Sequence, residues 1–382
     1  MKINGLKMWL ILFILTLCLQ NVNIITFSNF SLKLCHIVSL VFIFYLKGNY
    51  TMRFPSMKIM VFYFIIFFVS LLSYKSFGMG SLLFNYIFGF YILLILFNLK
   101  YELSKDEFYD ILQKVSWIVL IIVILNAILN YQTIIRFLRN PYGHPEYNFI
   151  FAGGPNLEAT WTSMLGIFSG KTNKKYIFVF LTAILSALLA SRVGIIINIL
   201  VLLYFLIQEK NGLKKILTFC IVILILFLLA IKTNIFSYIL SRFSQTGYDS
   251  GSMGRKRMWS LFWPTLKQHP FGVGIGNSIK ALERYSNLTF YENNLHNLIM
   301  QMFIELGVLG GLYYIYLIFA YFIECIKHKE LSPYSMFLGI YIIIGTLQFR
   351  GGDSLFFVIL GIYLIIDHNY KNKKRIIERT GE

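Results

Sequence analysis

Arg255-Lys256-Arg257 places three cations side by side in a chain that is otherwise sparing with charge. They open a stretch, Met253–Gln268, in which Trp259, Phe262, Trp263 and Leu266 recur at i, i+3, i+4 and i+7 and define one apolar helical face. Pro264 is expected to kink or end that helix. Cations at a helix start oppose its dipole, whose positive end favours anions. Such a cluster suits a strongly anionic ligand, held by the cations and by backbone N–H groups together. Contact with lipid headgroups accounts for any one of the three equally well. Arg192 stands alone between two apolar runs, and an ionisable group inside a membrane segment is a functional candidate by default. His296-Asn297 precedes a long apolar run, and imidazole is the ordinary general base near neutral pH. A lone histidine at a helix start is also a common cap or packing residue. His144 and His269 each adjoin a proline and read as turn residues.

Other chemistries find little support. Glu146, Glu158, Asp249, Glu283, Glu292 and Asp353 are scattered, with no Asp-x-Asp, so no metal site and no cofactor is expected. Cys18, Cys35, Cys220 and Cys325 lie singly inside apolar runs and match neither a metal spacing nor a disulfide framework. Gly272-Val273-Gly274-Ile275-Gly276 has the wrong spacing and follows no strand, which argues against a dinucleotide fingerprint.

The elements that must position these residues are membrane helices. The chain has 382 residues, 57% hydrophobic and only 14% charged, against about 25% charged in soluble domains. That excludes a cytoplasmic enzyme, a disordered protein and a disulfide scaffold. The expected fold is an all-α polytopic membrane protein of about twelve spans with one large extracytoplasmic loop. The spans are expected near Leu6–Phe27, Phe30–Leu46, Ile59–Ser73, Ser81–Leu99, Val115–Ile134, Leu157–Ser169, Tyr176–Ala190, Gly194–Ile207, Ile216–Lys232, Leu298–Ile326, Tyr334–Phe349 and Ser354–Asp367. The first lacks a small-residue cleavage site and reads as a retained helix. Five segments follow: residues 1–152 and 153–232 of membrane helices, an exterior loop over 233–297, helices over 298–367, and a basic cytoplasmic tail over 368–382.

The formal charge of +18 is mostly topological. With both termini inside, 21 of the 35 Lys and Arg fall on the cytoplasmic side, and eight of the 14 outside lie in the long loop, which is exempt from the positive-inside rule. A nucleic-acid partner is not expected. Two crossings must fit between Lys175 and Lys210, so Arg192 at their turn should lie below the outer membrane surface.

Four motifs then converge. Arg-x-x-x-Trp (Arg255, Trp259), His269-Pro270-Phe271-Gly272-x-Gly274, His296-Asn297 with Gly307-x-x-Gly310, and Ser191-Arg192 after Gly154-Pro155-Asn156 together resemble the O-antigen ligase and Wzy-type polysaccharide polymerase superfamily. The resemblance covers approximately residues 153–311; before it, the chain matches only in being hydrophobic. It implies a metal-independent transferase acting on polyprenyl-diphosphate-linked oligosaccharide at the outer face of a bacterial cytoplasmic membrane. A polymerase moves the growing chain onto a fresh lipid-linked repeat unit, whereas a ligase moves it to another acceptor. On this resemblance Arg192, with Arg255 or Arg257, clamps the departing diphosphate, and His296 serves the acceptor hydroxyl. Asn156, Asn297, Glu305 and Arg350 are candidate substrate-binding residues, with Glu305 expected to orient or neutralise an arginine. Implied partners are the lipid-linked donor and acceptor, membrane lipid, a chain-length regulator and a flippase. A flippase or transporter is the alternative from another class. It should line a central path with charge and show inverted repeats, and the sequence shows neither.

Overall fold

A computed structural model of the chain describes residues 3–19, 23–27, 30–46, 53–80, 82–139, 149–151, 154–170, 173–209, 250–290, 292, 294–328, 331–348 and 351–380. Among these the fold is helical apart from one small hairpin, Asn23–Phe27 paired with Phe30–Lys33. Two described helices, Lys105–Leu129 and Leu298–Lys327, are long and apolar enough to cross a membrane. Ile3–Cys18, Met57–Leu72, Leu83–Phe97, Arg192–Ile207 and Ser332–Gly345 are apolar and shorter.

The helices depart from the expected spans where local sequence overrides hydropathy. The first two spans are not continuous helices. Ile3–Cys18 is followed by the hairpin and then by Leu34–Val41 and a 3-10 turn, Phe42–Tyr45. Asn23-Ile24-Ile25-Thr26-Phe27 is rich in β-branched residues, which favour strand. The helix at the fifth expected span starts at Lys105 rather than Val115. Ser104 and Glu107 form a capping box there: Ser104 N–H donates to Glu107 Oε2 at 2.7 Å and Glu107 N–H to Ser104 Oγ at 3.3 Å. That helix stops at Leu129, and a separate helix, Tyr131–Arg139, follows. The last helix, Ser354–Thr380, runs on past Asp367 into the basic tail. The ninth expected span, 216–232, lies outside the described residues.

The chain groups into two compact units, each taken by itself. The first comprises Met1–Leu17, Ile24–Phe108 and Gly254–Glu382. In it Met57–Leu72 packs along Leu298–Lys327, pinned at one end by Lys58 Nζ to Glu324 Oε1 at 2.7 Å and by Tyr313 O–H to Lys58 O at 2.9 Å. Leu83–Phe97 packs on Ser354–Thr380, where Gly89 makes room for the Phe357 ring.

The second unit comprises Cys18–Asn23 and Tyr109–Met253. Here Gly154–Leu165, Lys174–Leu188 and Arg192–Ile207 pack on one another around buried polar side chains. Asn198 Nδ2 donates to Ser163 Oγ at 2.8 Å, Ser186 Oγ at 3.2 Å and Gly194 O at 2.8 Å, while its Oδ1 accepts from Thr182 Oγ1 at 2.5 Å. Small residues bring the helices close, and a Cβ on Gly194 would come within 2.6 Å of Ser186 Oγ. Polar cross-links between small-residue faces are how helices adhere where burial of apolar surface gives no drive.

Candidate functional site

In the first unit the site is organised by a broken helix. Gly307, at φ 76° and ψ −178°, interrupts Leu298–Lys327 in a conformation closed to residues with a Cβ. A break strands the carbonyls before it and the N–H groups after it. The His269–Asn277 loop fills that deficit. Val273 N–H donates to Ile304 O at 3.1 Å, Gly274 N–H to Glu305 O at 2.9 Å, and Val308 N–H to Pro270 O at 2.9 Å. The approach is backbone on backbone: a Cβ on Gly272 would lie 2.6 Å from Glu305 O, and one on Gly307 2.5 Å from Pro270 O. The Pro-Phe-Gly-x-Gly run and Gly307 of Leu298–Lys327 are therefore two halves of one device. His296, Met300, Phe303 and Gly307, although spaced for one helical face, therefore do not share a continuous one. A neighbouring helix does approach closely at Gly310, whose Cβ would lie 3.2 Å from Ile65 Cγ2.

The loop is anchored below by residues before position 100. Asn277 Nδ2 donates to Gly78 O and Val273 O, each at 3.1 Å, and Lys280 Nζ donates to Phe77 O at 3.3 Å. The Phe77 ring takes the Arg284 guanidinium at 4.3 Å and meets His269 edge-on at 5.3 Å. Burial first, and the Arg284 charge second, hold the His269 imidazole below its ordinary range. Met258, Phe262, Leu266, Leu282 and Leu295 close a core over this frame. Glu305 is fully buried, and its Oε1 accepts from Ser278 Oγ and from Gln301 Nε2, both at 2.9 Å. Its carboxylate secures the first turn of Ser278–Ser286; the hydrogen bonds found for it go to Ser278 and Gln301 in place of the arginine expected.

His296 sits at the head of the broken helix in the left-handed region, φ 53°. That conformation is costly for a residue with a side chain, and it is clamped from both sides. His296 N–H donates to Asn294 Oδ1 at 2.9 Å, Trp259 Nε1 donates to Leu295 O at 2.8 Å, and Asn297 Oδ1 caps the helix by accepting from Met300 N–H at 3.0 Å. The side-chain oxygen of Asn297 is thus engaged structurally. On the imidazole, Nε2 lies 3.0 Å from Glu292 Oε2. Nδ1 is buried with no hydrogen-bond partner among the described residues. Glu292 stood in the sequence only as one of several scattered carboxylates, although its i, i+4 spacing to His296 was there to be noticed.

The cationic cluster is placed differently from expectation. Its helix begins at Ser250 and ends at Ser260, and a second, Phe262–Gln268, follows. Pro264 has no N–H to give Ser260 O and its ring would clash there, so the break falls before the proline. Arg255–Arg257 therefore occupy the middle and last turn, where the dipole favours cations, and the dipole no longer singles them out for an anion. Arg255 Nη1 donates to Leu347 O at 3.4 Å, while Lys256 and Arg257 are exposed. Trp263 and Phe271 also face outward, at 66% and 81% exposure, so Trp263 does not join the buried face with Phe262 and Leu266.

In the second unit, Arg192 is half-buried at the first position of its helix. The preceding helix ends at a left-handed residue, Ala190 (φ 49°), with Ser191 N–H donating to Ser186 O at 2.8 Å. Ser191 then caps the next helix by accepting from Gly194 N–H at 3.2 Å. One serine closes one helix and opens the other. The two helices have 15 and 16 residues, about 22–24 Å at 1.5 Å per residue. Asn156 is half-buried in the first turn of Gly154–Leu165. Arg350 lies outside the described residues; its neighbour Asp353 accepts from Tyr341 O–H at 3.4 Å. Among the described residues no three His, Cys, Asp or Glu side chains converge as metal ligands.

Residues 177–315 match the model of a family described as O-antigen ligase. This segment is similar to the O-antigen ligase and Wzy-type superfamily. The ligase-family segment contains Ser191-Arg192, Arg255–Trp259, the Pro270–Gly276 loop, His296-Asn297 and Gly307–Gly310, and leaves out Asn156 and Arg350. The family covers O-antigen ligases and related polymerases, membrane-integral proteins of polysaccharide biosynthesis that use lipid-linked oligosaccharide. A search of curated proteins finds no match.

Proposed function

We propose that this protein is a metal-independent glycosyltransferase that polymerises polyprenyl-diphosphate-linked oligosaccharide repeat units into surface polysaccharide, O-antigen or capsule, at the outer face of a bacterial cytoplasmic membrane. It spans that membrane about twelve times. The observation that carries the proposal is His296: an imidazole held in a left-handed conformation at the head of a broken helix, inside the ligase-family segment. The acceptor sugar hydroxyl gives its proton to His296 as its oxygen bonds to the anomeric carbon. The bond from that carbon to the diphosphate breaks, and the electron pair leaves with the phosphate oxygen. Diphosphate is a good leaving group, so cations matter more than an acid. Arg192 supplies one, and Arg255 or Arg257 another. Asn156 and Arg350 support substrate binding, and Asn297 and Glu305 serve it by holding the helix head and the loop in place. A flippase supplies the lipid-linked unit and a chain-length regulator sets when growth stops.

The test supplies purified protein with a lipid-diphosphate-linked repeat unit and a chelator, and resolves products on a gel. A ladder of lengths supports polymerisation; a single addition to a separate acceptor makes the protein a ligase. Lipid movement with no covalent change overturns the enzyme reading in favour of a flippase. Arg192→Ala and His296→Ala should each abolish chain growth while membrane insertion is retained, and full activity in both would overturn the assigned roles.

A further inference from the structure

We infer that Glu292 is the positioning residue of the base: it fixes the tautomer and orientation of His296, making Nδ1 the nitrogen that receives the acceptor's proton. This rests on the proposed role of His296.

The two ring nitrogens of His296 have opposite surroundings. Nε2 faces Glu292 Oε2 at 3.0 Å, and Nδ1 is buried without a partner among the described residues. A neutral imidazole carries one N–H and one lone pair. A proton on Nε2 makes a charge-assisted bond to the carboxylate and leaves Nδ1 as a bare lone pair. The other tautomer would set a lone pair against a carboxylate and bury an unpaired N–H. The geometry thus selects the Nε2–H form. When Nδ1 takes the hydroxyl proton, the ring becomes imidazolium, and the adjacent carboxylate stabilises that charge without accepting the proton. Glu292 is about half exposed, 49%, against 17% for His296, so it faces outward behind a more sheltered ring.

The experiment uses the full-length protein in detergent or nanodiscs and compares Glu292→Gln, Glu292→Asp and His296→Ala. Nitrogen-15 spectra of labelled histidine should show the Nε2–H tautomer in the parent and a mixture in Glu292→Gln. That variant should lose about ten- to a hundredfold in kcat with KM unchanged, and Glu292→Asp should recover part of the loss. If His296→Ala is inactive while Glu292→Gln keeps full kcat and the parent tautomer, the inference is overturned and the base remains. If Glu292→Gln loses kcat with no change of tautomer, its role is merely structural and the inference also fails. Activity in His296→Ala would overturn the proposed function instead, so the two failures are separable.

Discussion

Residues 154–207 and residues 254–311 each present an ionisable side chain at the head of a helix, and they reach that end by opposite means. Around Arg192 the helices are regular and the order comes from side chains: Asn198, Thr182, Ser186 and Ser163 bond across helix faces, and Ser191 handles the turn. Around His296 the backbone itself is irregular. A helix is broken at Gly307, a glycine loop repairs the hydrogen bonds, and the histidine takes a left-handed conformation. A guanidinium on a long stem tolerates approximate placement of its backbone. An imidazole sits on a short stem, so its placement follows from its backbone.

The largest expected effect falls where backbone meets backbone. Gly307→Ala puts a Cβ 2.5 Å from Pro270 O at φ 76°, and should cost about 3 kcal/mol or more. Thermal unfolding in detergent measures it, with Gly254→Ala as a control because a Cβ there meets nothing within 4 Å. Equal stability of Gly307→Ala and the parent would mean that the glycine loop does not repair the break, and the contrast between the regions would collapse.

Asn198→Ala should cost less, about 1–2 kcal/mol, because helix packing survives and only the cross-links to Ser163, Ser186 and Thr182 are lost. The same unfolding measurement reads it. A loss as large as that of Gly307→Ala would mean that the second unit depends on its polar core as fully as the first depends on its glycines.

The regions also differed in how far the sequence revealed them. The short pair of helices flanking Arg192 follows from hydropathy and Lys spacing, and the structure returns Lys174–Leu188 and Arg192–Ile207 close to the expected bounds. The motif residues of the other region were also visible, but their geometry was not. A helical period cannot show that Gly307 leaves the helix, since the N–H groups that meet the freed carbonyls belong to Val273 and Gly274, distant in sequence. The Phe77–Gly80 support for the loop was hidden for the same reason: its contribution is backbone carbonyls and one ring, which carry no motif. The hairpin at Asn23–Lys33 was missed because hydropathy outweighed β-branching there.

The smallest expected effect is a pH dependence on the loop side of the comparison. His269 lies below its ordinary imidazole range in the folded protein because it is partly buried and faces Arg284. The unfolded chain therefore binds the proton more readily. The histidine's share of stability is fully present above about pH 6.5, declines as pH falls towards the folded value, and changes no further below it. Arg284→Ala removes the second cause and the guanidinium over Phe77, so it should raise the His269 value and flatten the acid-side decline. Unfolding temperature followed from pH 7.5 down to about 5 checks this in parent and variant. The Ser163–Asn198 network contains no group that titrates in that window, so Asn198→Ala should shift the whole curve downward without changing its shape. A change of slope in Asn198→Ala, or none in Arg284→Ala, would place the pH response elsewhere than at His269.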